Sequence, residues 1–156
     1  MPHQAQKAIA RQSLLLRSFP DQHGEPLLSH AIWRQYDRGE TIFLQEETAK
    51  AVHVVIAGWV KLFRMTPNGA EAVVSVFKRG DSFGEAVALR NVPYPVSAEA
   101  VSNCEVMHIP SPVLISLMKE DPEIGSSILA STFTHLHSVV AQLEQLKAQT
   151  GAQRVA

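Results

Sequence analysis

The chain has 156 residues, of which 46% are hydrophobic and 19% are charged. This length and composition indicate one folded domain with a hydrophobic core, and they exclude a disordered chain. The formal net charge of −1 provides no basic surface for a phosphate backbone, so we do not expect these residues alone to bind nucleic acid.

The cysteine content and the apolar runs bear on the compartment. Cys104 is the single cysteine, which excludes an internal disulfide framework and a multi-cysteine cluster. No apolar run is long enough to span a bilayer, and the N-terminus lacks the pattern of a signal peptide. We therefore expect a cytoplasmic protein with no membrane partner.

The N-terminal residues have the spacing of an amphipathic helix. Ala, Ile and Leu residues recur among Gln, Lys and Arg residues between Gln4 and Ser18, which predicts a helix over this range. Pro20 and the sequence DQHGEP that follows it are expected to end that helix.

From about Ala31 to Ile109, short runs rich in Val, Ile, Phe, Trp and Tyr alternate with turn sequences. Seven runs predict strands: AIWRQYDR, TIFLQ, VHVVIAG, WVKLFRMT, AVVSVFK, VSAEAVS and CEVMHI. The sequence PNG indicates a hairpin, because Asn68 and Gly69 can take positive φ angles. Seven or eight short strands at this spacing predict a sandwich or barrel.

Two helices are predicted after the strands. A short helix covers Pro112–Lys119, and a longer one begins at the sequence DPE and continues to about Gln149. Asp121 suits the N-cap and Pro122 the first helical position, while Gly151 can end the helix.

The long helix carries apolar residues at the alternating intervals of a coiled-coil seam. They are Leu129, Phe133, Leu136, Val140 and Leu143. This seam either covers the helix's own domain or pairs with a second copy. We expect a homodimer, because the seam is longer than one flank of a small barrel needs.

Several segments together resemble the cyclic-nucleotide-binding domain. They are YDRGETIF (Tyr36–Phe43), VHVVIAGWVKLFR (Val52–Arg64), NGAEAVVSVFKRGDSFGEA (Asn68–Ala86) and SAEA (Ser97–Ala100). Any one of their glycines alone would be a weak signal, whereas the set is specific. With the long helix after them, the chain resembles bacterial CRP/FNR-type transcription regulators.

The resemblance implies an α+β, mainly β fold: a jelly-roll-like β-roll of the cyclic-nucleotide-binding type, flanked by an N-terminal helix and a long dimerisation helix. It implies a sensor domain at residues 1–120, the dimerisation helix at 121–150 and, at 151–156, the start of a helix-turn-helix domain that the sequence lacks. The implied function is that of the effector-sensing and dimerisation module of a DNA-binding transcription regulator. DNA and RNA polymerase are expected as partners of the full-length regulator only.

The resemblance also implies a ligand pocket. Its candidate residues are Phe83, Gly84, Glu85, Ala86, Val96 and Ser97. In relatives that bind cyclic nucleotides, the backbone N–H groups of the segment matching Phe83–Glu85 face the phosphate, and the residue matching Glu85 bonds the ribose hydroxyl. An arginine before the SA pair meets the phosphate charge, and that position is Val96 here. Arg90 is out of register, and Glu46 stands where the family usually has glycine. We therefore expect no response to cAMP.

Two other functions within the family stay open, a genuine cyclic-nucleotide-binding domain and a haem-based gas sensor, so the cofactor is unknown. Cys104 alone cannot hold an iron–sulfur cluster, while Pro2, His3 or another histidine could ligate haem. His135 and His137 lie on different faces of the predicted helix, and no Cys/His pair has the spacing of zinc ligands.

An enzyme is not expected. The sequence has no recognisable Ser-His-Asp or Cys-His motif, and its glutamates scatter over different predicted elements. A metal-binding cupin, which uses a similar double-sheet roll, would need an H-x-H pair and a carboxylate on a strand. The H-x-H pair of this chain, His135 and His137, falls on the predicted helix instead.

Overall fold

A computed structural model describes residues 4–130 of the chain. Within these residues, the eight strands are β1 Ile32–Tyr36, β2 Thr41–Phe43, β3 Ala51–Ala57, β4 Val60–Met65, β5 Glu71–Phe77, β6 Ser82–Phe83, β7 Ser97–Ala100 and β8 Cys104–Pro110. The helices with defined ends are α1 Gln4–Arg11, α2 Asp21–His30, α3 Glu85–Arg90 and α4 Ser111–Glu120. Residues 122–130 are also helical.

The strands form two four-stranded antiparallel sheets, in the orders β1-β8-β3-β6 and β2-β7-β4-β5. The β-roll with flanking helices that the sequence predicted is confirmed. All seven predicted strands are present, and β6 is the eighth. β6 has only two residues, too few for a periodic pattern in the sequence.

The central strand of the first sheet explains the near-continuous apolar run of VHVVIAG. Residues 52–56 of β3 are all buried, so both faces of this strand are covered. In this respect β3 resembles the central strands of sheets that are packed on both faces, which do not alternate between apolar and polar residues. The neighbouring strand β8 contributes Val106, Met107 and Ile109 to the same core.

The N-terminal region differs from the prediction of one helix over Gln4–Ser18. α1 ends at Arg11, and the sequence DQHGEP, expected to be a helix end, begins α2 instead. Gly24 leaves room for the guanidinium of Arg11, with which a side chain at this position would clash. That guanidinium donates hydrogen bonds to the carbonyl of Phe19 (3.0 Å) and to Asp21 (2.9 Å), and so joins the two helices.

The C-terminal part of the described chain agrees with the sequence pattern. Asp121 lies between α4 and the helix at residues 122–130, and its Oδ1 accepts a hydrogen bond of 3.0 Å from the N–H of Glu123. The prediction that Asp121 caps this helix is therefore confirmed. The predicted continuation to Gln149 lies outside the described residues.

Cys104 is buried in the core at the start of β8, and its burial, with a smaller effect of Glu40, raises the pKa of the thiol.

Within residues 4–130, no helix has the length and hydropathy needed to cross a membrane.

Candidate functional site

The segment that was expected to bind a ligand connects the two sheets. This candidate segment, residues 82–97, begins in β6, passes through Gly84 into α3 and continues into β7. Gly84 has a φ of 88°, in the left-handed region that other residues avoid. A Cβ atom here would also lie 3.4 Å from Nδ1 of His53. The backbone conformation and this tight neighbour therefore both favour glycine.

Glu85 is the first residue of α3, and it is only 5% exposed. Oε1 of its carboxylate is buried and accepts no hydrogen bond. None of the ion pairs found between residues 4 and 130 includes Glu85. A buried polar atom without a partner costs about 1–3 kcal/mol. The burial of this unpartnered oxygen is therefore unfavourable for folding, and the oxygen can accept a hydrogen bond from a ligand.

The end of the candidate segment carries no positive charge at the position where the resemblance implies an arginine. Val96 is partly buried and packs against the hydrophobic core. Ser97 is buried, and its Oγ accepts a hydrogen bond of 2.8 Å from the N–H of Gln45. The hydroxyl of Ser97 therefore already holds the loop after β2 in place. Arg90, at the end of α3, is exposed.

The two remaining candidate residues have different environments. Phe83 is buried, and its ring stacks on those of Phe77 and His53 with centroid distances of 5.1 and 5.0 Å. Ala86, in the first turn of α3, is exposed. Phe83 therefore belongs to the core beneath the segment, whereas Ala86 lies on its outer surface.

His53 is a polar residue in the middle of the roll. It is 2% exposed, and its ring meets that of His108 nearly edge-on, with centroids 4.6 Å apart. Burial, assisted by His108, lowers the pKa of His53 well below 6.5, against the opposing effect of a hydrogen bond to the Phe83 backbone. The ring is therefore neutral at physiological pH, and its Nδ1 has no hydrogen-bond partner.

The aromatic contacts that hold the candidate segment were not predicted from the sequence. Tyr94 stacks on Phe43, and Phe43 in turn lies 5.2 Å from the ring of His53. Signals for these residues were present in the sequence, because His53 interrupts an otherwise apolar strand and Tyr94 lies between two prolines. Neither signal predicts which rings are in contact, because Phe43, His53 and Tyr94 belong to three separate segments of the chain.

The predicted dimer interface is only partly described. Leu129 lies in the helix at residues 122–130 and is 69% exposed. The other seam residues, Phe133, Leu136, Val140 and Leu143, lie outside the described residues, as do Pro2, His3, His135 and His137. Between residues 4 and 130, no group of three His, Cys, Asp or Glu side chains is placed to hold a metal ion.

A family model of the cyclic nucleotide-binding domain matches residues 33–121, which include both sheets and the candidate segment. The chain belongs to this family. Its sequence is 30% identical over 120 residues to the nitrogen fixation regulation protein FixK of Azorhizobium caulinodans, covering 77% of this chain and 47% of FixK. The chain therefore spans about half the length of that relative.

Two solved structures of cyclic nucleotide-binding family members have the same fold. A candidate cyclic nucleotide binding protein of Ruegeria pomeroyi is 79% identical, with a TM-score of 0.77 over 99% of this chain and 69% of that one. The catabolite activator protein of Thermus thermophilus is 26% identical, with a TM-score of 0.73 over 86% and 63% of the two chains. The domain is thus related to the CRP/FNR-type regulators.

Proposed function

We propose that this chain is the effector-sensing and dimerisation module of a CRP/FNR-family transcription regulator, and that its effector is not cAMP. The observation that carries the proposal is the combination of Glu85, a buried carboxylate with an unpartnered oxygen, and Val96, an apolar residue at the position of the phosphate-binding arginine. The relatives described above support the class of regulator.

The candidate segment provides no cation at the position where the phosphate of a cyclic nucleotide is expected. Val96 can donate no hydrogen bond to an anion, whereas Glu85 could still accept one from a ribose hydroxyl. A hydrogen bond to a charged group contributes about 1.5–3 kcal/mol, so the missing arginine lowers affinity by roughly ten- to a hundredfold. An uncharged or cationic effector with hydroxyl or amine donors fits the free carboxylate oxygen better.

Calorimetry on the native chain and on Val96→Arg tests this proposal. The native chain is expected to show no cAMP binding at micromolar concentrations, because the phosphate meets no cation. Val96→Arg should increase the affinity for cAMP by about ten- to a hundredfold. Val96→Leu is the matched control, since it changes the side chain without adding charge, and it should leave cAMP binding absent.

The outcomes separate the two parts of the proposal. A micromolar dissociation constant for cAMP with the native chain would overturn the exclusion of cAMP and support a genuine cyclic-nucleotide-binding domain. A gain of binding by Val96→Arg that is lost again in Val96→Arg/Glu85→Gln would support the candidate segment as the ligand site. If Val96→Arg gains no affinity, the segment is not organised for a nucleotide, and the explanation of the missing cAMP response by Val96 alone is wrong.

The partners follow from the same proposal. We assign the contacts with DNA and RNA polymerase to the full-length regulator. The net charge of −1 indicates that residues 1–156 present no basic surface that could bind DNA. The module is expected to act in the cytoplasm as a homodimer and to catalyse no reaction. Sequence-selective, salt-sensitive DNA binding by residues 1–156 in a gel-shift assay would contradict this division of roles.

A further inference from the structure

A cleft beside the candidate segment has the features of a small-molecule site. The Tyr94 cleft has a volume of about 420 Å³ and is lined in part by Ile32, Phe43, Tyr94, His53, His108 and Pro110. Small-molecule pockets typically measure about 300–1,000 Å³ and combine apolar walls with a few polar groups. Ile32 is 45% exposed, so the cleft leaves a large apolar side chain in contact with water.

The charges around the Tyr94 cleft are mainly positive. Arg34 and Lys50 line it, and Glu47 is the one acidic residue in its lining. Neither Arg34 nor Lys50 takes part in any ion pair found within residues 4–130. Burial and the nearby charge of Arg34 lower the pKa of His108 to about 4, so this histidine adds no charge at neutral pH. The cleft therefore carries a small net positive charge.

Tyr94 is a neutral donor in this cleft. Its burial, with a smaller effect of the Glu47 carboxylate, raises its pKa to about 12. The hydroxyl therefore stays protonated and can donate a hydrogen bond. An aromatic ring with a polar end suits contact with a ligand that has both an apolar body and a polar group.

We propose that the Tyr94 cleft is a second ligand site, which binds a small organic carboxylate with an aromatic or apolar body. The body packs against Ile32 and Tyr94, and the carboxylate binds Arg34 and Lys50 through charge-assisted hydrogen bonds. The net charge of the cleft suits a single negative charge better than a doubly charged phosphate. The candidate segment, in contrast, presents the unpaired acid Glu85 and would repel the same ligand.

The Tyr94 cleft is connected to the candidate segment by backbone hydrogen bonds. The N–H of Tyr94 donates to the carbonyl of Glu47 at 2.8 Å, and the N–H of Glu46 donates to the carbonyl of Tyr94 at 2.9 Å. A ligand that packs on Tyr94 therefore contacts a residue of the candidate segment itself. The proposed cleft site does not require that the candidate segment binds any effector.

The test is a titration of the isotopically labelled chain followed by amide NMR shifts. The probes are benzoate and phenylacetate, and the matched neutral controls are benzamide and phenylacetamide. Millimolar carboxylate should shift the amides of residues 32–34, 47–51 and 94, whereas the neutral amides should bind about tenfold or more weakly because they lack the charge.

Variants identify the groups that bind the carboxylate. Lys50→Gln and Arg34→Gln should each weaken benzoate binding by about tenfold. Arg64→Gln removes an exposed arginine from β4, outside the cleft, and should leave binding unchanged. Lys50 is exposed, so its variant is expected to fold even if replacement of Arg34 disturbs the hydroxyl of Tyr36.

Three results would overturn the proposal. The first is that neither carboxylate shifts the cleft amides at millimolar concentration. The second is that the neutral amides bind as tightly as the acids, since the cations would then have no role. The third is that the shifts fall on residues 84–90, which would place the ligand at the candidate segment. In addition, Lys50→Gln and Arg64→Gln with equal affinities would show that the charge of Lys50 is not used.

Discussion

The ring of Tyr94 lies on the ring of Phe43 with centroids 3.7 Å apart and planes inclined by 8°. Phe43 is the last residue of β2, whereas Tyr94 belongs to the candidate segment after α3. Both side chains are 5% exposed. The stacked pair thus fixes one end of the candidate segment to a sheet.

Replacement of Tyr94 by alanine should destabilise the domain strongly. The loss of a buried aromatic ring costs about 3–5 kcal/mol, because it removes both buried surface and packing contacts. Tyr94→Phe keeps the stacked ring and should change the free energy of unfolding by less than about 1.5 kcal/mol. Urea denaturation of the two variants measures the difference, and a small effect of Tyr94→Ala would show that the stack does not hold the segment.

Glu46→Gly should stabilise the domain. Glu46 has a φ of 77°, a left-handed conformation that costs a residue with a side chain about 1–2 kcal/mol. Glycine removes this strain but makes the unfolded chain more flexible, so the net gain should be about 0.5–1 kcal/mol. Glu47→Gly is the control, since Glu47 has no positive φ, and it should not stabilise. A lower melting temperature for Glu46→Gly than for the native chain would contradict the prediction.

The free energy of unfolding should fall between about pH 6.5 and pH 4. Burial and Arg34 lower the pKa of His108 from 6.5 to about 4 in the folded chain, and the pKa of His53 is lowered too. A lowered histidine pKa gives stability that is present above the unfolded pKa and is lost as the pH falls through the folded pKa. The groups facing His108 are Arg34, His53 and Tyr36, whose hydroxyl lies 2.9 Å from its Nε2.

The variant His108→Gln measures the contribution of His108. It should reduce the loss of stability between pH 6.5 and pH 4 by roughly 2–3 kcal/mol, since glutamine does not become charged. His30→Gln is the control at an exposed histidine of α2. If the native chain and His108→Gln lost the same amount of stability between pH 6.5 and pH 4, the lowered pKa of His108 would not be a cause of that loss.

The sequence predicted elements better than contacts between them. Alternating apolar residues predicted β8, and a continuous apolar run predicted β3. Both predictions were possible because the burial pattern of a strand is reflected in its own sequence. The helix α2 was missed because Gly24 and Pro26 usually end helices. Arg11, in the preceding helix, occupies the space beside Gly24 and donates a hydrogen bond to Asp21, a contact that the pattern of the α2 sequence alone does not predict.

Only part of the candidate site could be predicted, because only part of it lies in consecutive residues of the sequence. Gly84 and Glu85 follow a motif of consecutive residues, and the structure places them at the start of α3, with Glu85 buried. The stack of Tyr94 on Phe43 and the Tyr94 cleft join residues from several strands and loops. The residue spacing within one segment does not predict which distant ring or cation will contact it. These features could therefore be identified only in the folded structure.

The last prediction is that the chain forms a homodimer through the seam of its C-terminal helix. Leu129, the first seam residue, is 69% exposed at the end of the described chain, although it is a large apolar side chain. The remaining seam residues lie outside the described residues. Burial of each large apolar side chain contributes about 1.5–3 kcal/mol, so five from each copy can exceed the entropic cost of association. Two-fold pairing sets the seam against its own copy.

The double variant Leu136→Glu/Val140→Glu should therefore sediment as a monomer, while circular dichroism shows that the β-roll remains folded. Ser138→Glu/Gln145→Glu is the matched control, because it adds the same two charges on the face opposite the seam by heptad spacing. This control should remain a dimer, so that the charge alone cannot explain the result. If the native chain is a monomer at micromolar concentrations, the seam packs on its own roll, and the dimer prediction is wrong.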